Sequence, residues 1–65
     1  MAIPFKQAEQ AATYQRALLE VNCGEFPMGT VVYTSGKDEP HAGWRCVFPD
    51  NSWRVVSNEN IRLCW

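Results

Sequence analysis

Cys23, His41, Cys46 and Cys64 are the side chains of this 65-residue chain whose types suit a metal ion. Zinc accepts thiolate sulfur and imidazole nitrogen, and four such groups would complete a tetrahedron. Successive members lie 18, 5 and 18 residues apart, so no C-x-x-C pair pre-forms half a site. No metal is expected, and the cysteines read as small apolar fillers in a reducing, cytoplasmic setting. His41 and Cys46 are the one couple suited to nucleophilic catalysis. Nothing near Cys46 in sequence lowers its thiol pKa, and its strand position points it toward an apolar interior, where a thiol stays protonated. Asp38 and Glu39 are adjacent and project apart, which does not suit a general acid–base pair. No catalytic residue and no cofactor follow, and the chain is expected to be non-enzymatic.

The aromatic residues say more. Tyr33, Trp44, Phe48, Trp53 and Trp65 are too many large rings for a domain of this size to enclose, so one or two are expected at the surface. An exposed Trp beside polar residues is what a protein-binding hot spot requires. The expected protein-binding set is Lys37, Asp38, Glu39, His41, Trp53 and Tyr33, with Asp38 and Glu39 orienting a basic partner. The alternative is a nucleic-acid-binding surface of Arg45, Arg54, Arg62 and Lys37, with Trp53 stacking on a base.

These side chains need elements to hold them. Trp44-Arg45-Cys46-Val47-Phe48 and Trp53-Arg54-Val55-Val56 are runs of β-formers flanking Pro49-Asp50-Asn51-Ser52, which predicts a β-hairpin. Closing a four-residue loop sets Phe48 against Trp53, Cys46 against Val55 and Trp44 against Ser57. One face then carries the three aromatics, the other Arg45, Val47, Arg54 and Val56. Residues 4–22 lack glycine and internal proline and are rich in Ala, Leu, Gln, Glu and Arg, which predicts one long helix. On it Lys6, Glu9, Gln10, Thr13, Arg16 and Glu20 share one arc, with a broad apolar arc opposite. At 1.5 Å per residue such a helix is about 28 Å long, longer than the strands beneath it. Alanines tolerated at the surface account for its overhang, with a homodimer or partner contact through the helix as the alternative. Residues 24–29 form a connector, Thr30-Val31-Val32-Tyr33-Thr34 a strand, and 35–42 a long polar loop. Ser57-Asn58-Glu59-Asn60 reads as a tight turn before a last strand at 61–65.

Charge is balanced, with six Lys plus Arg against seven Asp plus Glu, and no basic run exists to neutralise a phosphate backbone. Nucleic acid is therefore the lesser expectation, and no membrane span or signal segment is legible. The apolar fraction of 46% predicts a folded single domain over 1–65.

The order of strand, polar loop, hairpin, one-turn connector and short final strand resembles that of SH3-like small β-barrels. The stretch VVSNENIRL is similar to the Ser-Asn turn that leads into the closing strand there. The resemblance covers 28–65 and implies a small barrel, and since that superfold hosts many functions it implies no activity. HAGWRC is faintly similar to a stretch of plasmid-borne type II dihydrofolate reductases. Their Val-Gln-Ile-Tyr run has no counterpart, so their activity is not carried over. The expected architecture is α+β: an N-terminal amphipathic helix packed on a small bent antiparallel sheet of about four strands. The expected role is a small protein-binding module of the kind carried by bacteria or their mobile elements.

Overall fold

The computed structural model describes residues 3–38 and 43–64. It is a small α+β unit with helix α1 (Phe5–Gln10) and strands β1 (Gln15–Leu19), β2 (Val31–Asp38), β3 (Gly43–Val47), β4 (Trp53–Ser57) and β5 (Ile61–Leu63). A 3₁₀ turn, Asn58–Asn60, joins the last two strands. All five strands form one antiparallel sheet in the order β4-β3-β2-β1-β5.

That order dictates curvature. A flat sheet would hold its outer strands about 19 Å apart, four spacings of about 4.8 Å. The 3₁₀ turn that connects them has three residues, and such a turn advances only about 6 Å. The sheet must curl so that its edges approach, and Val56 of β4 and Ile61 of β5 accordingly enter one apolar cluster. This cluster also holds Ala17, Leu19, Val32, Cys46 and Phe48, with Cys23 and Phe26 of the β1–β2 connector packed against it. The opposite face of the sheet carries Val31, Tyr33, Val47 and Trp53, covered by Ile3, Phe5, Ala8 and Tyr14. We call these the core face and the helix face.

The long predicted helix is corrected. It spans six residues, not 4–22, because Ala11 turns to an extended conformation (φ −86°, ψ 123°) and Gln15–Leu19 becomes a central strand. Strong helix formers are overruled there by two-sided pairing. Arg16 lies opposite Tyr33, while Ala17 is flanked by Val32 and Leu63, and Leu19 by Ile61. Alternation decides the outcome: Ala17 and Leu19 are wholly buried on the core face, and Arg16 is exposed on the other. The sheet therefore starts at Gln15 rather than at residue 28, has five strands rather than about four, and is not a closed barrel. The overhang that argued for a helix-mediated dimer is absent, since α1 is only about 9 Å long at 1.5 Å per residue and its Ala8 is buried.

Two further corrections concern β2 and the hairpin. Ser35–Asp38 continue β2 through a bulge between Thr34 and Gly36 instead of opening the predicted loop. Gly36 adopts φ 141°, and buried Thr34 steadies the bulge, its hydroxyl accepting from the Gly36 N–H at 3.1 Å and donating to the Arg45 carbonyl at 3.0 Å. The β3–β4 loop holds three residues, not four. Asn51 N–H donates to Phe48 O at 2.8 Å, Phe48 N–H donates to Ser52 O at 2.9 Å, and Asn51 takes the left-handed conformation at φ 71°. This is a type I turn closed by a left-handed residue. Val47, not Phe48, then lies opposite Trp53, and Cys46 lies opposite Arg54. A one-residue slip exchanges the faces of a strand. Trp53 and Val55 consequently leave the core face, and Arg54 and Val56 enter it.

Candidate functional site

The predicted binding residues divide between the two faces. Tyr33 is buried on the helix face, its ring edge-on to Phe5 at 5.1 Å between centroids. Trp53 lies on the same face, half-buried. Lys37 is exposed and pairs with Trp44 across the β2–β3 ladder, its Nζ 5.8 Å from the indole centroid. Asp38 ends β2 opposite Gly43. Glu39 and His41 lie outside the described residues, as does Trp65. The fold thus sets Tyr33 and Trp53 on one face, two strands apart with Val47 between them, and sets Lys37 beside a different tryptophan.

Trp53 organises a depression on the helix face. Its position follows from the hairpin loop, which is fastened locally: Asp50 Oδ1 accepts from Ser52 N–H at 2.9 Å and from Ser52 Oγ at 2.6 Å. Those bonds hold the Asp50 carboxyl below its ordinary pKa, with Arg54 adding a smaller push in the same direction. Asn51 Oδ1 accepts the Phe5 N–H at 2.9 Å, tying the start of α1 to the loop. Between these pieces Ile3, Pro4, Asn51 and Trp53 line a depression of about 230 Å³. The Trp53 ring meets Tyr14 edge-on at 6.1 Å, and its Nε1–H is buried without a hydrogen-bond partner among the described residues. Beyond Trp53 on the same face of β4, Val55 is 45% exposed, a large value for an apolar strand residue. Arg45 stands opposite Val55 in the ladder and is itself exposed.

No known family model, curated protein or solved structure matches this chain. Its chemistry has to be read from its own residues.

The arginines are not equivalent. Arg54, turned to the core face, lies 5.1 Å from the Phe26 ring centroid and 5.0 Å from that of Phe48, and donates to Ser52 Oγ at 3.2 Å. Glu25 and Asp50 lie at 3.9 Å. Arg62 is held by Glu20 at 3.2 Å. Arg45, exposed on the helix face, is not among the partners of Glu20, Glu25 or Asp50. The four cations of the nucleic-acid alternative therefore do not converge: two are engaged by carboxylates, and Arg54 and Arg45 point to opposite faces.

Among the described residues no group of three His, Cys, Asp or Glu side chains is placed to hold a metal ion. Cys46 is fully buried, and desolvation pushes its thiol up to about 12, so it is a protonated core filler at neutral pH. No helix of the described residues is long and apolar enough to cross a membrane.

Ile3, Pro4, Asn51 and Val55 were not legible as surface partners of Trp53. Ile3 and Pro4 read as a helix start, and the predicted register turned Val55 inward. The signal that could have found them is Pro49-Asp50-Asn51, since Asn tolerates the left-handed conformation that shortens the loop to three residues.

Proposed function

We propose that this protein is a small non-enzymatic protein-binding module whose contact surface is the outer side of β4 around Trp53. The strand order β4-β3-β2-β1-β5, the curl it enforces and the 3₁₀ turn before the last strand support reading the sheet as an SH3-like barrel left partly open. One observation carries the functional reading: Trp53 borders a depression walled by Ile3, Pro4 and Asn51, with Val55 45% exposed beside it. An amphipathic ring at a rim, next to an apolar residue and the exposed cation of Arg45, can desolvate against a partner at low entropic cost. The surface lies on the helix face, so the contact is assigned to Trp53, Val55, Arg45, Asn51 and the Ile3-Pro4 segment, and Tyr33, buried against Phe5 two strands away, is left out of it.

A displayed library of linear peptides, panned on the wild type and counter-selected on Val55→Asp, tests this. Enriched peptides should shift the indole N–H resonance of Trp53 and the amide of Val55 in two-dimensional NMR spectra. Ligands that map instead to Lys37 and Trp44, or no enrichment at all, would remove the reading.

A further inference from the structure

β4 is an outer strand, and its free edge is set by the hairpin. Phe48 and Ser52 form a hydrogen-bonded pair, so pairs alternate from there along the antiparallel ladder. Cys46 with Arg54 and Trp44 with Val56 are bonded pairs, and Val47 with Trp53 and Arg45 with Val55 are the non-bonded ones. The backbone N–H and C=O groups of Trp53 and Val55 therefore point away from β3. No other described segment bonds to them. Sheet edges are ordinarily blunted by proline, lysine or a bulge. β4 has none of these over Trp53–Ser57, and its one charge, Arg54, is turned to the core face over Phe26 and Phe48.

Resting on the reading above, we infer that this edge takes one extended acidic segment of a partner protein as a sixth, antiparallel strand, with an apolar side chain on Trp53 and a carboxylate two residues earlier for Arg45. The geometry sets the spacing. On the helix face the incoming strand has positions opposite Ser57, Val55 and Trp53, and antiparallel direction places the Val55 position before the Trp53 position. Arg45 lies one strand behind Val55, about 10 Å from the incoming backbone at two strand spacings. An arginine and a glutamate reaching toward each other over Val55 span that gap. The apolar residue then covers the indole and the mouth of the depression. Backbone bonds to Trp53 and Val55 supply the strand addition, and the two side chains supply selectivity.

The probe is the capped pentapeptide Thr-Glu-Thr-Leu-Thr, titrated into the full chain beside three twins. One has Lys for Glu, one has Ala for Leu, and one is N-methylated on the backbone amides facing β4. The expected result is slowed hydrogen exchange at the Trp53 and Val55 amides with the parent peptide only. The lysine twin should bind about fivefold more weakly or worse, a surface ion pair being lost, and Arg45→Glu should reverse that preference while leaving core amide protection intact. Equal binding of the lysine twin, or equal binding of the N-methylated twin, overturns the inference, as does binding that leaves the β4 amides unprotected. Edge protection that rises with protein concentration before peptide is added assigns the edge to a second copy of this chain and also overturns it. If library panning yields Trp53-dependent ligands that lack the acidic pattern, the module reading stands and this inference fails alone.

Discussion

Val47 stands directly opposite Trp53 in the β3–β4 ladder. The pairing places a fully buried valine beneath α1 and the indole next to it, at the rim of the depression formed with Ile3 and Pro4. It exists because the loop holds three residues, and that in turn depends on Asn51.

Asn51 should therefore be sensitive in two separable ways. Asn51→Val at φ 71° should cost about 2–3 kcal/mol in urea denaturation, the strain of a β-branched residue in the left-handed region added to the lost acceptor for Phe5 N–H. Asn51→Gly should keep the turn but remove the acceptor for Phe5 N–H, speeding exchange of that amide with a stability loss of about 1 kcal/mol.

The strand assignment of Gln15–Leu19 predicts opposite responses at neighbouring leucines. Leu19 is 1% exposed in the core cluster, so Leu19→Ala should cost about 2–5 kcal/mol, enough to unfold much of a domain this small. Leu18 lies on the other face, half-buried opposite Val31 and Arg62. Leu18→Ala should cost less than half as much in the same denaturation series.

Gly43 lets the sheet close tightly on β4. A Cβ there would meet Val56 O at 2.7 Å and Val55 Cγ1 at 2.8 Å. Gly43→Ala should destabilise by about 1–3 kcal/mol and shift the NMR amides of Val55 and Val56 more than those of β1.

Stability should fall at high pH through Cys46. Its thiol is raised from 9.0 to about 12 in the fold, so below pH 9 both states are protonated and the group has no effect. Above pH 9 the unfolded thiol ionises while the folded one does not, and unfolding gains about 1.4 kcal/mol per pH unit. Cys46→Ala should flatten that slope between pH 9 and 10.5, measured by urea denaturation. Thiol reagents under native conditions should label Cys23 and Cys64, both half-buried, before Cys46.

Arg54 should contribute through its ring contacts more than through its carboxylates. Glu25→Gln should change stability by less than about 0.5 kcal/mol, because that pair is long and exposed. Arg54→Ala should cost about 1–2 kcal/mol and remain costly in high salt, since it strips the cation from Phe26 and Phe48.

Several features were legible because they are local. The hairpin at 44–56, the connector at 24–29, the tight turn before Ile61 and the alternation in Val31–Tyr33 each follow from side-chain type and the φ angles that Pro, Gly and Asn permit. Cys46 as an apolar filler followed from its neighbours. The surroundings of Trp53 were only half legible: Trp53 stood out as a ring near a turn, but Ile3, Pro4 and Tyr14 belong to a segment distant in sequence.

Composition and local pattern determined that this chain can bury a core and that 44–56 is an antiparallel hairpin; the rings expected at the surface are buried or half-buried among the described residues. Two matters were decided only in three dimensions. Gln15–Leu19 is helical by propensity, yet a strand bonded on both sides gains two ladders and buries Ala17 and Leu19, whereas a lone helix of that composition would leave β5 without a neighbour and one edge of β2 unpaired. The facing of β4 was likewise open, since one residue more or less in the loop reverses every side chain from Trp53 to Ser57. The turn bonds at Phe48, Asn51 and Ser52 settle that count, and with it the placing of Trp53 on the helix face and Trp44 on the core face.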